Sequence, residues 1–259
     1  MMRTMSPLID GLYRQGEKIA DTKAPHDVPI ARRWEQRKFN GGVPKDQLNN
    51  ENLEALEKGL PNLLRHVSNI TEIYNLPAVV AINAFPTDTE AELDLIKTKC
   101  EELGVNVALS EVWAKGGIGG KELAEEVIRL CEKPNEFQFA YDDTLSIKEK
   151  IEAIAKKIYH ADSVNFVEKA PKQLEELEAL GFGNLPVCMA KTQYSFSDNP
   201  ALLGAPKNFS ISVRNLKVSA GAGFIVALTG DIMTMPGLPK RPAAERIDID
   251  NDGKITGLF

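Results

Sequence analysis

The feature that most constrains the fold of this chain is a strand–helix–strand pattern in its first half. Residues 78–82 (AVVAI) form a short apolar run rich in β-branched residues, which is typical of a strand buried on both faces. Residues 105–109 (VNVAL) are predicted as the next strand, and the segment between the two strands is long enough for a helix. A crossover of this length predicts two parallel strands joined by a right-handed connection.

The connecting segment carries signals for both ends of that helix. Pro86 breaks the chain after the first strand, and Thr87 or Asp88 can cap a helix. Gly104 is expected to end the helix just before the second strand. The segment therefore supports the same strand–helix–strand interpretation.

Two aromatic residues follow the two predicted strands, Phe85 directly after the first and Trp113 shortly after the second. The carboxyl ends of parallel strands meet at one edge of the sheet, and open α/β sheets bind ligands at that edge. Two rings roughly 7 Å apart can enclose one flat ligand ring between them. The alternative is that both aromatic side chains simply plug the sheet edge into the core.

Helical periodicity and apolar runs continue along the rest of the chain. Leucines at spacings of three and four predict a helix that begins near Asn50. Strands that alternate with helices predict an α/β fold, with a largely parallel sheet and helices on both faces. Further helices are predicted at residues 121–131, 146–159 and 172–180, and further strands at 137–141, 186–190, 210–213 and 224–228.

Composition argues against several classes of protein. The formal net charge of −6 leaves no basic footprint for nucleic acid. No apolar run approaches the ~20 residues that span a bilayer, and the first residues lack the apolar segment of a signal peptide. We therefore expect a cytoplasmic protein without a membrane partner. Three widely spaced cysteines, Cys100, Cys131 and Cys188, argue against a disulfide framework and against a zinc site.

Metal-binding patterns are present only in part. Asp248, Asp250 and Asp252, followed by Gly253, resemble the start of a calcium-binding loop. The acidic ligand required six residues after the glycine is replaced by Phe259, so a hairpin turn is the better interpretation. The three histidines are too scattered to form a recognisable metal site. No metal site is expected among these residues.

Small-residue loops provide further candidates for cleft lining. Gly116 and Gly117 open a glycine-rich turn after Trp113 that leads into a predicted helix. Exposed backbone amides at a helix start favour binding of an anion, and Lys115 adds positive charge. A tight turn without a ligand is an equally good interpretation. A second small-residue loop contains Gly221 and Gly223 and precedes an apolar strand. Weaker candidates for the same cleft follow another strand, namely Lys191, Gln193 and Tyr194.

Residues 1–40 differ from the remainder of the chain. They show no clear period of 2 or 3.6 residues and contain several prolines. We expect a mobile or loosely packed extension there, followed by an α/β domain over residues 41–259.

Three segments, AINAFPTDTE, EVWAKGG and AKTQYSFSDNPALLGAPKNFSISV, carry a resemblance to a known family that extends from about Lys38 to Phe259. They resemble formate–tetrahydrofolate ligase, an ATP-dependent carbon–nitrogen ligase of one-carbon metabolism. The resemblance implies the carboxyl-terminal portion of a P-loop-NTPase-like ligase. It also implies that Phe85 and Trp113 sandwich the pterin ring of the folate and that Leu109 lines the same pocket.

The resemblance further implies a reaction and its cofactors. Family members make formyl phosphate from formate and ATP with Mg, transfer the formyl group to tetrahydrofolate, and assemble as tetramers when full-length. The phosphate step needs a glycine-rich turn that ends in lysine and then serine or threonine. The 259 residues contain no such sequence. We therefore expect a folate half-site that is inactive as a ligase on its own, in a chain that can form a homo-oligomer.

Two hypotheses follow. In the first, the chain is a ligase component that pairs with a separately encoded amino-terminal half. In the second, it is a non-catalytic folate-binding or interaction module, or a decayed fragment. A neighbouring gene for the other half favours the first hypothesis, and folded, folate-binding protein without such a gene favours the second. Aggregation of the isolated chain favours decay.

Overall fold

A computed structural model describes residues 28–32, 35–84, 88–191 and 195–231 of the chain, with residues 241, 242, 245, 247–249, 255 and 256. The helices are α1 (Glu35–Asn40), α2 (Leu53–Ser68), α3 (Glu90–Glu101), α4 (Val112–Lys115), α5 (Lys121–Cys131), α6 (Ile147–Lys157) and α7 (Ala170–Ala179). The strands are β1 (Val28–Arg32), β2 (Ala78–Asn83), β3 (Asn106–Ser110), β4 (Ser163–Phe166), β5 (Val187–Ala190), β6 (Ser210–Ser219), β7 (Phe224–Thr229), β8 (Asp248–Ile249) and β9 (Ile255–Thr256). Shorter helical turns lie at Lys45–Gln47, Asn69–Ile73 and Gly116–Gly120.

A three-stranded parallel sheet confirms the predicted strand–helix–strand unit. Its order is β1-β2-β3, so the apolar strand β2 is central. On one face, Val80 and Ile82 join the main core, to which α2 contributes Leu56. On the other face, Val79 belongs to a small cluster that includes Leu130 of α5. Helices therefore cover both faces of this sheet, as β2 requires because it is buried along almost its whole length.

Helix α3 begins slightly later than the sequence predicts. Its cap is Thr89, not Thr87 or Asp88, and the hydroxyl of Thr89 accepts a hydrogen bond from the Glu92 amide at 3.3 Å. Helix α2 likewise has Asn52 as its cap, whereas the sequence predicts Asn50 or Asn49, and the Asn52 side chain accepts from the Ala55 amide at 2.9 Å. Both shifts are small because several residues before each helix have side chains able to cap.

A second, four-stranded sheet corrects the expectation of one largely parallel sheet. Its order is β4-β6-β7-β5, and β6 pairs with β7 antiparallel while the outer pairs are parallel. The connection between β6 and β7 is a tight turn in which the Ser219 carbonyl accepts hydrogen bonds from the Ala222 and Gly223 amides, both at 2.9 Å. Gly223 takes the left-handed conformation with φ of +72°, which favours glycine. So short a connection requires antiparallel neighbours.

The strand predicted at residues 137–141 is wrong. This segment lies outside the helices and strands of the described chain. The Gln138 amide donates one hydrogen bond to the Tyr74 carbonyl at 3.1 Å, and Phe137 stacks on Tyr74 with ring centroids 6.3 Å apart. Phe139 meets Phe137 edge-on at 5.0 Å. The aromatic residues that suggested a strand form a side-chain cluster instead of a backbone ladder.

The ends of the chain are described only in part. β1, within the predicted extension, pairs with β2 from Val28 to Arg32, and residues 1–27 lie outside the described residues. Strands β8 and β9 pair antiparallel, which agrees with a hairpin around the predicted turn, although the turn residues themselves are not described.

Within the described ranges, no helix has the length and apolarity to cross a bilayer. The same ranges contain no cluster of three or more metal-ligating side chains.

Candidate functional site

The strands β2 and β3 end level with each other at the carboxyl edge of the parallel sheet. Asn83 lies opposite Ser110 in the register, and the next residue, Ala84, donates its amide to the Ser110 carbonyl at 2.9 Å. The chain therefore leaves β2 and β3 side by side. This is the arrangement that the aromatic pair after these strands would need.

The three predicted pterin-site residues are described to different degrees. Phe85 lies outside the described residues. The backbone of Trp113 belongs to the short helix α4, which follows β3 after a single residue. Leu109 is half-buried near the end of β3, packs against the main core and lies opposite Ile82 of β2. Described geometry thus places the backbone of two of the three positions at the expected edge.

The glycine-rich turn after Trp113 folds back onto the end of β3. The Gly119 carbonyl accepts a hydrogen bond from the Glu111 amide at 2.9 Å. A Cβ atom on Gly119 would lie 2.4 Å from the Glu111 carbonyl oxygen, so no side chain fits there. Gly116 has φ of +60°, which also favours glycine, whereas Gly117 faces open space. Close packing at Gly119 and the backbone conformation of Gly116 therefore explain these two glycines without a ligand.

Lys115 does not stand as an isolated cation beside this turn. Its ammonium lies 2.7 Å from a carboxylate oxygen of Glu111, one helical turn earlier, and both side chains are substantially exposed. An exposed pair of this kind contributes little to stability, and solvent screens it. The role of Lys115 in anion binding stays a prediction. An anionic ligand there would compete with the Glu111 carboxylate for the Lys115 ammonium.

Gly221 and Gly223 lie at the tip of the β6–β7 hairpin. Because Val187 of β5 pairs with Ile225 of β7, the hairpin tip is near the start of β5. Lys191 follows the opposite end of β5. The mixed sheet therefore places these glycines and Lys191 at opposite ends, which does not favour a single cleft that contains both.

Lys191 holds the loop that follows β5. Its ammonium donates to the carbonyls of Ser195 and Ser197, the second at 2.8 Å, and it lies 5.5 Å from the centroid of the Tyr159 ring. Gln193 and Tyr194 lie outside the described residues. The described contacts of Lys191 indicate a structural role in this loop.

The same loop is bound to helix α2 farther along. The Asn62 amide group donates to the Gly204 carbonyl at 2.8 Å, and Arg65 donates to the Pro206 carbonyl at 3.3 Å. Burial lowers the pKa of Arg65, but an arginine in a protein keeps its charge. The Arg65 guanidinium also lies 5.4 Å from the centroid of the Phe196 ring. The loop after β5 therefore packs on α2 and is hydrogen-bonded to it through Asn62 and Arg65.

Comparison with known proteins decides the family. The sequence model described as formate–tetrahydrofolate ligase matches residues 20–259 of this chain. The chain belongs to the formate–tetrahydrofolate ligase family. It is also 53% identical, over 249 residues, to the formate–tetrahydrofolate ligase of Symbiobacterium thermophilum. That comparison covers 94% of this chain and 45% of the relative, so the chain spans less than half the relative's length.

The formate–tetrahydrofolate ligase match extends farther towards the amino terminus than the resemblance predicted. It begins at residue 20, whereas the resemblance was placed from about Lys38. The matched range includes β1, which pairs with β2 in the parallel sheet. Similarity to the family and membership of the sheet therefore both reach into residues 1–40.

Sequence reasoning missed a buried ion pair near the carboxyl edge of this ligase-family sheet. Lys38 of α1 and Glu92 of α3 approach to 3.0 Å between Nζ and Oε1, with side chains 1% and 0% exposed. In the sequence, Lys38 stands out only through its match to the family, and Glu92 has the context of an exposed residue in a first helical turn. The match of Lys38 to the family is the one available signal that this lysine has a structural role. Because a charged residue is rarely buried without a partner, a buried Lys38 would in turn require an acidic residue nearby.

Replacing Gly119 by alanine is expected to distort the glycine turn. The added methyl group would overlap the Glu111 carbonyl, and such overpacking lowers the free energy of unfolding by about 1–3 kcal/mol. Gly117→Ala is the matched control, because nothing lies within 4 Å of its Cβ position. Urea unfolding of both variants measures the difference, and equal stability of the two would contradict the described turn.

Proposed function

We propose that this chain provides the folate half-site of a formate–tetrahydrofolate ligase, which converts ATP, formate and tetrahydrofolate to 10-formyltetrahydrofolate, ADP and phosphate. The observation that carries the proposal is the level ending of β2 and β3, with Asn83 opposite Ser110, in a chain of this family. It supports a site in which the pterin ring lies between Phe85 and Trp113 and beside Leu109. Neighbouring strands lie roughly 4.8 Å apart, so residues just beyond their ends can lie on the two sides of one ring.

The phosphate chemistry requires residues beyond those in this chain. No glycine-rich turn followed by lysine and serine or threonine occurs in the 259 residues, so they do not provide the loop that would hold ATP and Mg. We propose that the chain binds folate by itself and completes a P-loop-NTPase-like ligase together with a further polypeptide segment or a separately encoded half. Its own residues would bind and orient the pterin ring.

A tryptophan-fluorescence titration with tetrahydrofolate tests the folate site. Trp113 would contact the bound ring, so saturable quenching is expected in the 259-residue chain, while Trp34 contributes a background signal. p-Aminobenzoylglutamate, which lacks the pterin ring, is the control ligand and is expected to quench far less. Absence of quenching by tetrahydrofolate in folded protein would refute the proposed site.

A further inference from the structure

The buried Lys38–Glu92 ion pair contributes little net free energy to folding for two charges removed from water. Both side chains are almost fully removed from water, and desolvation of two charges offsets much of their mutual attraction. The second carboxylate oxygen, Oε2 of Glu92, has no hydrogen-bond partner within the described chain, which adds to the cost. A buried pair with these properties is better explained by the geometry that it imposes on its neighbours.

The pair joins three helices at one point. The Lys38 ammonium also donates to the Asn50 carbonyl at 2.9 Å, just before α2. The Oε1 atom of Glu92 also accepts from the amide of Asn52 at 3.0 Å, and Asn52 is the residue that caps α2. The end of α1, the start of α2 and the first turn of α3 are therefore held by one carboxylate and one ammonium.

The first turn of α3 continues directly from the segment that contains Phe85. At its beginning, this segment is tied to β3, because Ala84 donates to the Ser110 carbonyl at 2.9 Å. At its end, Thr89 caps α3 through the Glu92 amide, and the Glu92 side chain binds Lys38. The positions of both ends of this segment are thus set by named contacts, one of which is the buried pair.

We propose that Lys38 and Glu92 are positioning residues for the folate half-site, an inference that rests on the proposed function. They set where α3 begins relative to the ends of β2 and β3, the edge at which the folate half-site is proposed. The two side chains are buried and act through α3, not by touching the ligand. A misplacement of about 1 Å caused by a substitution far from the reacting groups can lower a reaction rate by about 10²-fold.

The test compares two buried lysines. Lys38→Met removes the positioning cation, and Lys150→Met is the matched control. Lys150 is 0% exposed in α6, and its ammonium donates to the carbonyls of Gly183 and Leu185 at 2.8 and 3.2 Å. Thermal unfolding gives the midpoint temperature of each variant. Calorimetric titration at a temperature well below that midpoint gives the dissociation constant for tetrahydrofolate.

Both variants are expected to unfold at lower temperature than the parent chain. Only Lys38→Met is expected to weaken tetrahydrofolate binding, by tenfold or more, whereas Lys150→Met changes it less than twofold. Binding by Lys38→Met within twofold of the parent, or equal weakening in Lys150→Met, would overturn the positioning role. Absence of binding in the parent chain would instead refute the proposed folate site itself.

A double variant keeps the test decisive if Lys38→Met does not fold. Lys38→Met with Glu92→Gln removes both charges, and the glutamine can still accept from the Asn52 amide. Its unfolding midpoint is expected to return towards that of the parent, because no uncompensated charge stays buried. Its dissociation constant is expected to stay at least fivefold weaker than the parent's. Recovery of affinity together with the midpoint would show that the pair serves stability alone.

Discussion

Trp113→Ala is expected to weaken tetrahydrofolate binding by about 5- to 150-fold. An aromatic side chain stacked on a heterocyclic base contributes about 1–3 kcal/mol, and each 1.4 kcal/mol is a factor of ten in affinity. The proposed site places Trp113 against one face of the pterin ring, so alanine would remove that contact and leave the face open to water. Calorimetric titration measures the affinity, because the substitution also removes the fluorescent reporter.

Two matched substitutions separate stacking from a general effect on the chain. Trp113→Phe keeps an aromatic face and is expected to lose less than about tenfold, in line with the smaller ring. Trp34→Phe replaces the other tryptophan and is expected to leave the affinity unchanged. A Trp113→Ala variant that is folded and binds like the parent would remove the tryptophan from the site.

Local patterns predicted the edge of the parallel sheet well. β2 was predicted from five consecutive apolar residues at 78–82, and β3 from the run at 105–109, with errors of one residue at their ends. Such runs are informative because a strand buried on both faces tolerates few polar residues. The parallel direction of the two strands then follows from the length of the crossover, and the structure confirms it.

Strand direction and aromatic clusters were harder to predict. The apolar runs of β6 and β7 carry no direction, and β6 continues to Ser219, six residues beyond its predicted end. The connection is therefore only residues 220–223, too short for the crossover of a dozen or more residues that parallel neighbours need. Residues 137–141 have the aromatic composition of a strand, yet Phe137 packs on Tyr74 as a side chain. Composition alone does not distinguish these two uses of an aromatic residue.

Long-range polar contacts were outside the reach of sequence reasoning. Nothing local to Glu92 indicates that it is buried, because an acidic residue in a first helical turn is usually solvated and stabilised by the helix dipole. Its burial depends on Lys38, which lies on another helix far away in the chain. The Glu111–Lys115 pair is different, since its two residues are four apart in the sequence, although the short helix α4 that brings them together was not predicted.

The 259-residue chain alone is expected to form 10-formyltetrahydrofolate at least about 10³-fold more slowly than the full-length Symbiobacterium thermophilum relative. Removal of a single electrostatic donor from an active site lowers the rate by about 10²–10³. The 259 residues contain no glycine-rich turn followed by lysine and then serine or threonine, the motif whose lysine and hydroxyl would neutralise the transferring phosphate. The measurement is the ATP-dependent formation of product at saturating formate and tetrahydrofolate.

Adding the missing part of the ligase as a separate polypeptide tests the same division of the site by a gain of activity. The part of the relative that this chain does not match can be produced as a separate polypeptide and mixed with it, and the 53% identity favours correct docking. Activity is expected to return on mixing, and Trp113→Ala in this chain is expected to reduce it, since the folate half-site would come from here. A chain that turns over near the relative's rate without any added polypeptide would show that its own residues hold ATP, and the division of the site proposed above would be wrong.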